Sequence, residues 1–170
     1  MDTSYYLQKF QEAVKQLDHK LLAENSIDVA VGVYLDSVFI KFYKKSWSSD
    51  SQNPLTAESR IFFSLWVNDS TIEKQQISYN IHALKLRNLK GYKIQSRKFA
   101  EIFRDAFQNF IPKWKNVSTN YGPLTLMEGW IKLDLENFEN ELLLITENFL
   151  EIEFLIDNTL KQFKIENHKL

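Results

Sequence analysis

A basic run between positions 85 and 98 is the first stretch of this chain whose side chains could carry out a defined chemistry. It holds no acidic residue, and its candidate ligand-binding side chains are Lys85, Arg87, Lys90, Tyr92, Lys93, Arg97 and Lys98. Cations beside an aromatic ring, followed by a helix start at Ser96, are typical of sites that bind a phosphate backbone. The run is therefore a candidate anionic-ligand site, with nucleic acid as the ligand it would suit. The alternative interpretation is that it faces solvent or balances an acidic helix.

A second candidate is an aromatic recognition loop. Trp114 and Tyr121 fall on a connection rich in Lys, Asn, Ser and Thr, and Trp130 follows shortly after it. Large amphipathic rings on a connection are typical of recognition pockets and of partner anchors. The competing interpretation is that these rings fold back as a lid over the core.

Metal and cofactor chemistry has little support in the sequence. The chain has no cysteine, and its three histidines, His19, His82 and His168, are too scattered for a local metal site. Ligands for a transition metal would have to be carboxylates from distant segments, so we expect no metal and no cofactor. His82 shares a predicted strand face with Asn80, and we interpret it as a structural or surface histidine.

Motifs of the common enzyme classes are also missing. The four glycines are isolated, so the chain contains no Walker loop, no dinucleotide fingerprint and no nucleophile elbow. The carboxylate pairs Glu139/Glu141 and Glu151/Glu153 lie two residues apart on a predicted helix, where side chains diverge by about 200°. No catalytic residue is predicted, and the sequence favours a protein that is not an enzyme. An enzyme whose site is scattered over distant segments remains an alternative.

The element that must position these residues is a long amphipathic helix predicted over residues 134–163, with Asp134 as its N-cap. Its apolar residues step alternately by three and four, which places them on one face: Leu135, Phe138, Leu142, Ile145, Phe149, Ile152, Ile156 and Phe163. The other face is acidic and carries Glu136, Glu139, Glu141, Glu147, Glu151, Glu153 and Asp157. Such a helix should cover a sheet with its apolar face.

The remaining elements follow from shorter patterns. Helices are predicted over residues 4–24, capped by Thr3 or Ser4, and from a cap at Ser96 to Pro112. Strands are predicted over residues 27–35, 38–43, 60–67, 73–86 and 124–133. Residues 60–67 are apolar on both faces, which predicts a central strand covered on both sides. Short turns between the strands favour an antiparallel sheet. The predicted fold class is α+β: about five antiparallel strands, in the order α-β-β-β-β-α-β-α, covered by amphipathic helices with a long C-terminal one.

Size and composition limit the remaining possibilities. A chain of 170 residues that is 44% hydrophobic can bury one large core, which predicts a single globular domain over residues 1–170. The start of the chain lacks the pattern of a secretory signal, and no apolar segment approaches the roughly 20 residues that span a bilayer. We therefore expect a soluble, cytoplasmic protein that does not bind a membrane.

The preferred functional hypothesis is a non-catalytic binding or protein-interaction domain, whose partner is a protein or a small apolar ligand. Nucleic-acid binding through residues 85–98 is the second hypothesis, and an enzyme is the third. A monomer is preferred because the apolar face of the helix over 134–163 is wider than a two-stranded seam. A homodimer through that helix is the alternative.

Overall fold

The protein has an α+β fold built on one antiparallel sheet, in a computed structural model that describes residues 1–166. The sheet runs in the order β1-β2-β3-β4-β5, and every neighbouring pair is antiparallel. Its strands are β1 Asp28–Tyr34, β2 Ser37–Tyr43, β3 Arg60–Val67, β4 Gln76–Leu84 and β5 Thr125–Lys132. The helices are α1 Thr3–Lys15, α2 His19–Glu24, α3 Asp69–Glu73, α4 Ser96–Phe107 and α5 Phe138–Lys161. The predicted fold class is confirmed, with five strands and a long C-terminal helix.

Alternation along each strand separates a covered face from an open face. In β2, for example, Val38, Ile40 and Phe42 are buried, whereas Phe39 and Lys41 point the other way and are half-buried. The buried set packs against α1, α4 and α5 in a hydrophobic core. Phe149 of α5 stacks on a β3 ring, with its centroid 4.5 Å from that of Phe63 and the planes 9° apart. Aromatic packing thus fills the space between α5 and the sheet.

The N-terminal helical segment differs from its prediction. Residues 4–24 were expected to form one helix, but α1 ends at Lys15 and α2 begins at His19. The Asp18 side chain accepts a hydrogen bond from the Leu21 backbone N–H and so caps a new helix. Asp2, rather than Thr3 or Ser4, caps α1. The apolar spacing continues through the break, which is why periodicity alone predicted one helix.

The other helix starts were also misplaced. The Asp134 side chain accepts a hydrogen bond from the Glu136 backbone N–H, 3.1 Å away, in a turn ahead of α5. The helix itself begins at Phe138 and runs for 24 residues. Ser96 is the first residue of α4 and not its cap. A reciprocal capping box between Asn68 and Thr71 stabilises the start of α3. Only a turn and the start of a strand were predicted in this segment.

The acidic face of α5 is not entirely exposed to solvent. Glu153 is buried, and its carboxylate lies 2.6 Å from the Lys44 Nζ at the end of β2. The same ammonium lies 2.7 Å from Asp157, which also accepts a hydrogen bond from the Trp47 ring N–H. Burial lowers the pKa of Lys44, but hydrogen bonds and charge from Asp157 and Glu153 outweigh it, and the pKa is raised. Two carboxylates of α5 thus bind one cation of the sheet.

Candidate functional site

The open face of the sheet contains a hollow of about 350 Å³. We call it the open-face hollow; its lining residues are Tyr34, Ser37, Phe39, Lys41, Arg60, Phe62, Ser64, Trp66, Asn80, His82, Leu84 and Glu128. Pairing between strands sets these side chains in rows. Lys41 is opposite Ser64, which is opposite Asn80, which in turn is opposite Glu128. Side chains from four strands therefore meet in one row.

The Lys41 ammonium is held between two aromatic rings. Its Nζ lies 4.4 Å from the centroid of Phe39 and 4.7 Å from that of Phe62. Phe39 is paired with Gly32 of β1. A Cβ at Gly32 would lie 3.0 Å from the Phe39 Cζ, so the absence of a side chain there lets the Phe39 ring pack over β1. Burial, and next the charge of Arg60, lowers the pKa of Lys41. The two rings attract the ammonium, whereas burial and the charge of Arg60 oppose it, and the pKa of Lys41 is lowered overall.

Arg60 supplies a second cation beside the same ring. Its guanidinium carbon lies 5.7 Å from the Phe62 centroid, and one terminal N–H group donates to the Ala57 carbonyl. The Arg60 Nε is buried and has no hydrogen-bond partner within residues 1–166. Across the same residues, no carboxylate oxygen lies within 4.0 Å of the charged nitrogens of Lys41 or Arg60. Two cations therefore share the open-face hollow without a bound counter-charge.

A hydrogen-bonded network forms the polar side of the open-face hollow. Ser64 donates to the Asn80 Oδ1 at 2.7 Å, and the Asn80 Nδ2 donates to Glu128 at 3.2 Å. The same amide nitrogen donates to the His82 Nε2, 2.9 Å away. Because Nε2 accepts, the proton of neutral His82 is on Nδ1, which donates to the Leu124 carbonyl at 3.3 Å. Both ring nitrogens of neutral His82 thus have a hydrogen-bond partner.

We expect His82 to make stability fall in acid. Burial lowers the pKa of His82 and outweighs the hydrogen bond with Leu124 and the charge of Glu128, while Lys41 and Arg60 lower the pKa further. The unfolded chain then binds more protons than the native one once the pH drops below about 6.5, the ordinary histidine value. The contribution to the free energy of unfolding is present above that pH and is lost as the pH falls through the native pKa. The melting temperature should therefore fall more steeply between pH 8 and pH 5 for the wild type than for His82→Gln. An equal fall in the two proteins would contradict the expectation.

The basic run lies outside the open-face hollow. All six of its cations are exposed and Tyr92 is half-buried. Lys85 pairs with Glu58 at 3.3 Å, and Lys98 pairs with Glu101 at 3.6 Å. Within the described part of the chain, the run makes no ion pair with α5. Its role as an anionic-ligand site stays a prediction.

The residues of the aromatic recognition loop lie in different surroundings. Trp114 is buried, and its ring packs edge-on to Phe63 with the centroids 5.9 Å apart. Tyr121 and Trp130 are exposed, and Trp130 lies on β5. Trp114 thus belongs to the core. A role of the three aromatic residues in recognition stays a prediction.

Sequence reasoning did not single out Lys41, Arg60, Phe39 or Phe62. The central position predicted for β3 is confirmed, but its second face forms part of the open-face hollow, in which Phe62 is almost fully buried. A signal was present in β2, where Lys41 interrupts a run of Val, Ile and aromatic residues. Lys41 lies between Phe39 and Tyr43 on one strand face, but β2 alone does not show which residues stand beside that lysine.

Comparison of the chain with protein-family models, with curated proteins and with solved structures found no significant match. Between residues 1 and 166, no cluster of three or more potential metal-ligating side chains occurs. No helix in that range is long and apolar enough to span a bilayer.

Proposed function

We propose that the protein is a binding protein whose open-face hollow takes a small organic anion with a flat apolar body. The observation that carries this proposal is the pair of cations, Lys41 and Arg60, held among aromatic rings with no carboxylate within 4.0 Å in residues 1–166. Desolvated cations gain most when an anion binds them, because the surrounding dielectric is low. An anionic ligand would also give the half-buried Arg60 guanidinium a counter-charge, and its buried Nε–H a hydrogen-bond acceptor.

The remainder of the open-face hollow indicates the shape of the ligand. Phe39 and Trp66 are paired across β2 and β3, and both are half-buried, so they present apolar surface to a planar ring. The volume of about 350 Å³ lies at the lower end of the range for small-molecule sites, roughly 300 to 1,000 Å³. A monocyclic or bicyclic carboxylate or phosphate ester would fit both the size and the charge.

The broader features of the proposal rest on the sequence patterns alone. We propose a cytoplasmic, single-domain monomer that binds its ligand without catalysis. Nucleic-acid binding by residues 85–98 is a separate proposal, supported by exposed cations of which only Lys85 and Lys98 make ion pairs in the described residues.

Aromatic anions should bind in preference to isosteric neutral molecules. Titration with benzoate and phenyl phosphate should change the protein fluorescence, in part through Trp66, and benzamide should produce a much smaller change. Arg60→Gln and Lys41→Gln should each weaken benzoate binding by roughly tenfold or more, the worth of a charge-assisted hydrogen bond. Isothermal titration calorimetry measures the affinities.

The matched control is Lys20→Gln, which removes an exposed cation outside both the open-face hollow and the basic run. It should leave benzoate affinity unchanged, because an exposed charge is screened by solvent. Equal affinity for benzoate and benzamide, or equal losses from the Lys20 and Arg60 variants, would contradict the proposed function.

A further inference from the structure

Two lysines near the end of β2 have opposite surroundings. The Lys44 ammonium is bound by carboxylates at 2.6 and 2.7 Å. The Lys41 ammonium has aromatic rings on two sides, a guanidinium in the same hollow, and no carboxylate within 4.0 Å in residues 1–166. A lysine in apolar surroundings beside another cation has the environment that favours a neutral, nucleophilic amine. Lys44 thus provides an internal reference for Lys41.

From this geometry we infer that Lys41 is a carbonyl-reactive amine, which forms an imine with an organic anion that carries an aldehyde or ketone. This inference rests on the proposed function, since the anion must first enter the open-face hollow. It adds a class of ligand, the oxo acids, and names the atom that reacts. Arg60 would hold the acid group while the Lys41 Nζ meets the carbonyl carbon.

The covalent step balances without any co-reactant. The lone pair of the neutral Lys41 amine attacks the carbonyl carbon, an N–C bond forms, and the C=O π electrons move to oxygen. One proton moves from the nitrogen to that oxygen, which gives the carbinolamine. The carbinolamine then loses its hydroxyl and the second amine hydrogen as one water molecule, which leaves a C=N bond. Hydrolysis reverses the reaction, so the linkage is reversible and neither partner is oxidised or reduced.

The electrostatics of the two lysines agree with this assignment. Burial, followed by the charge of Arg60, lowers the pKa of Lys41, whereas the two carboxylates raise that of Lys44. At a given pH, Lys41 therefore holds more neutral amine than Lys44. Its surroundings also admit a ligand, because Lys41 lines the open-face hollow and is only half-buried.

Reductive trapping tests the inference on the full chain. The protein is incubated at neutral pH with substoichiometric 4-formylbenzoate and cyanoborohydride, which reduces an imine to a stable amine, and the label is located by peptide mass spectrometry. We expect more label at Lys41 than at any other lysine, including Lys44. Lys41→Arg should lose this label, whereas Lys20→Arg should keep it, because Lys20 is exposed and lies outside the open-face hollow.

Methyl 4-formylbenzoate is the matched reagent, since it has the same ring and aldehyde without the charge. It should label Lys41 less than the acid does, and excess benzoate should block the acid. Label distributed evenly over the lysines, or unchanged by Lys41→Arg, would overturn the inference. If benzoate binds but Lys41 is not labelled, the imine chemistry fails and the anion site stands. If Lys41 reacts equally with acid and ester and benzoate does not bind, the anion site fails and the reactive amine stands.

Discussion

Replacement of Phe149 by aspartate is expected to unfold the protein at room temperature. Phe149 is fully buried at the centre of the interface between α5 and the sheet, stacked on Phe63 and within 5.9 Å of the Phe42 ring centroid. Removing a buried phenylalanine costs about 3 to 5 kcal/mol, and an unpaired carboxylate in its place adds a further cost. A total stability of roughly 5 to 15 kcal/mol leaves little margin for such a loss.

Thermal and urea unfolding followed by circular dichroism measure this effect. The control is Phe154→Asp, because Phe154 lies on the same helix but is exposed, so its carboxylate stays hydrated. We expect that variant to keep a cooperative transition. A Phe149→Asp protein that melts within about one degree of the wild type would show that α5 does not bury this face against the sheet.

The second large effect is expected at Lys44, the cation shared by two carboxylates of α5. In Lys44→Ala, the Glu153 carboxylate would lose its counter-charge while its side chain stays only 8% exposed. Removing one partner of a buried ion pair costs about 3 to 5 kcal/mol, chiefly because the other charge stays buried. Chemical denaturation should therefore show a loss of this order at neutral pH. A second change, Glu153→Gln, made in the Lys44→Ala background should restore part of the loss.

An exposed ion pair between α5 and the segment after α4 provides the comparison. Lys113 and Glu151 are also 2.7 Å apart, but their side chains are 60% and 49% exposed. Lys113→Ala should cost less than about 1 kcal/mol, because solvent already screens that pair. Equal losses from the two alanine variants would mean that burial does not strengthen the Lys44 interaction. A fully additive double variant at Lys44 and Glu153 would show that the two groups do not interact.

The elements of the fold could be predicted because their signals lie within single segments. The apolar spacing of Phe138, Leu142, Ile145 and Phe149 repeats with the period of a helix, and alternation along β2 and β3 repeats with the period of a strand. Short turns between strands then require antiparallel neighbours. Helix and strand periodicity depend only on the local backbone geometry of each segment. The predicted helices and strands therefore agree with the structure in type and order.

The ends of elements were harder to predict, because they depend on individual hydrogen bonds. Asp18 and Asp134 both resemble helix caps in sequence, yet Asp18 divides a predicted helix and Asp134 holds a turn ahead of α5. Periodicity averages over many residues, whereas a cap is decided by one side chain and one backbone N–H. The sequence therefore indicated which elements exist better than where they begin.

The open-face hollow was decided by tertiary structure alone. The alternation in β2 placed Phe39 and Lys41 on one strand face, but nothing local shows that Ser64 and Asn80 stand opposite or that Arg60 lies nearby. Strand register determines those neighbours, and a shift by one residue would send every side chain of a strand to the other face. The same holds for Lys44 and Glu153, which are distant in the chain and meet only because α5 packs on the sheet. Periodicity thus determined which side chains share a face, and packing decided which charges meet there and which stay without a partner.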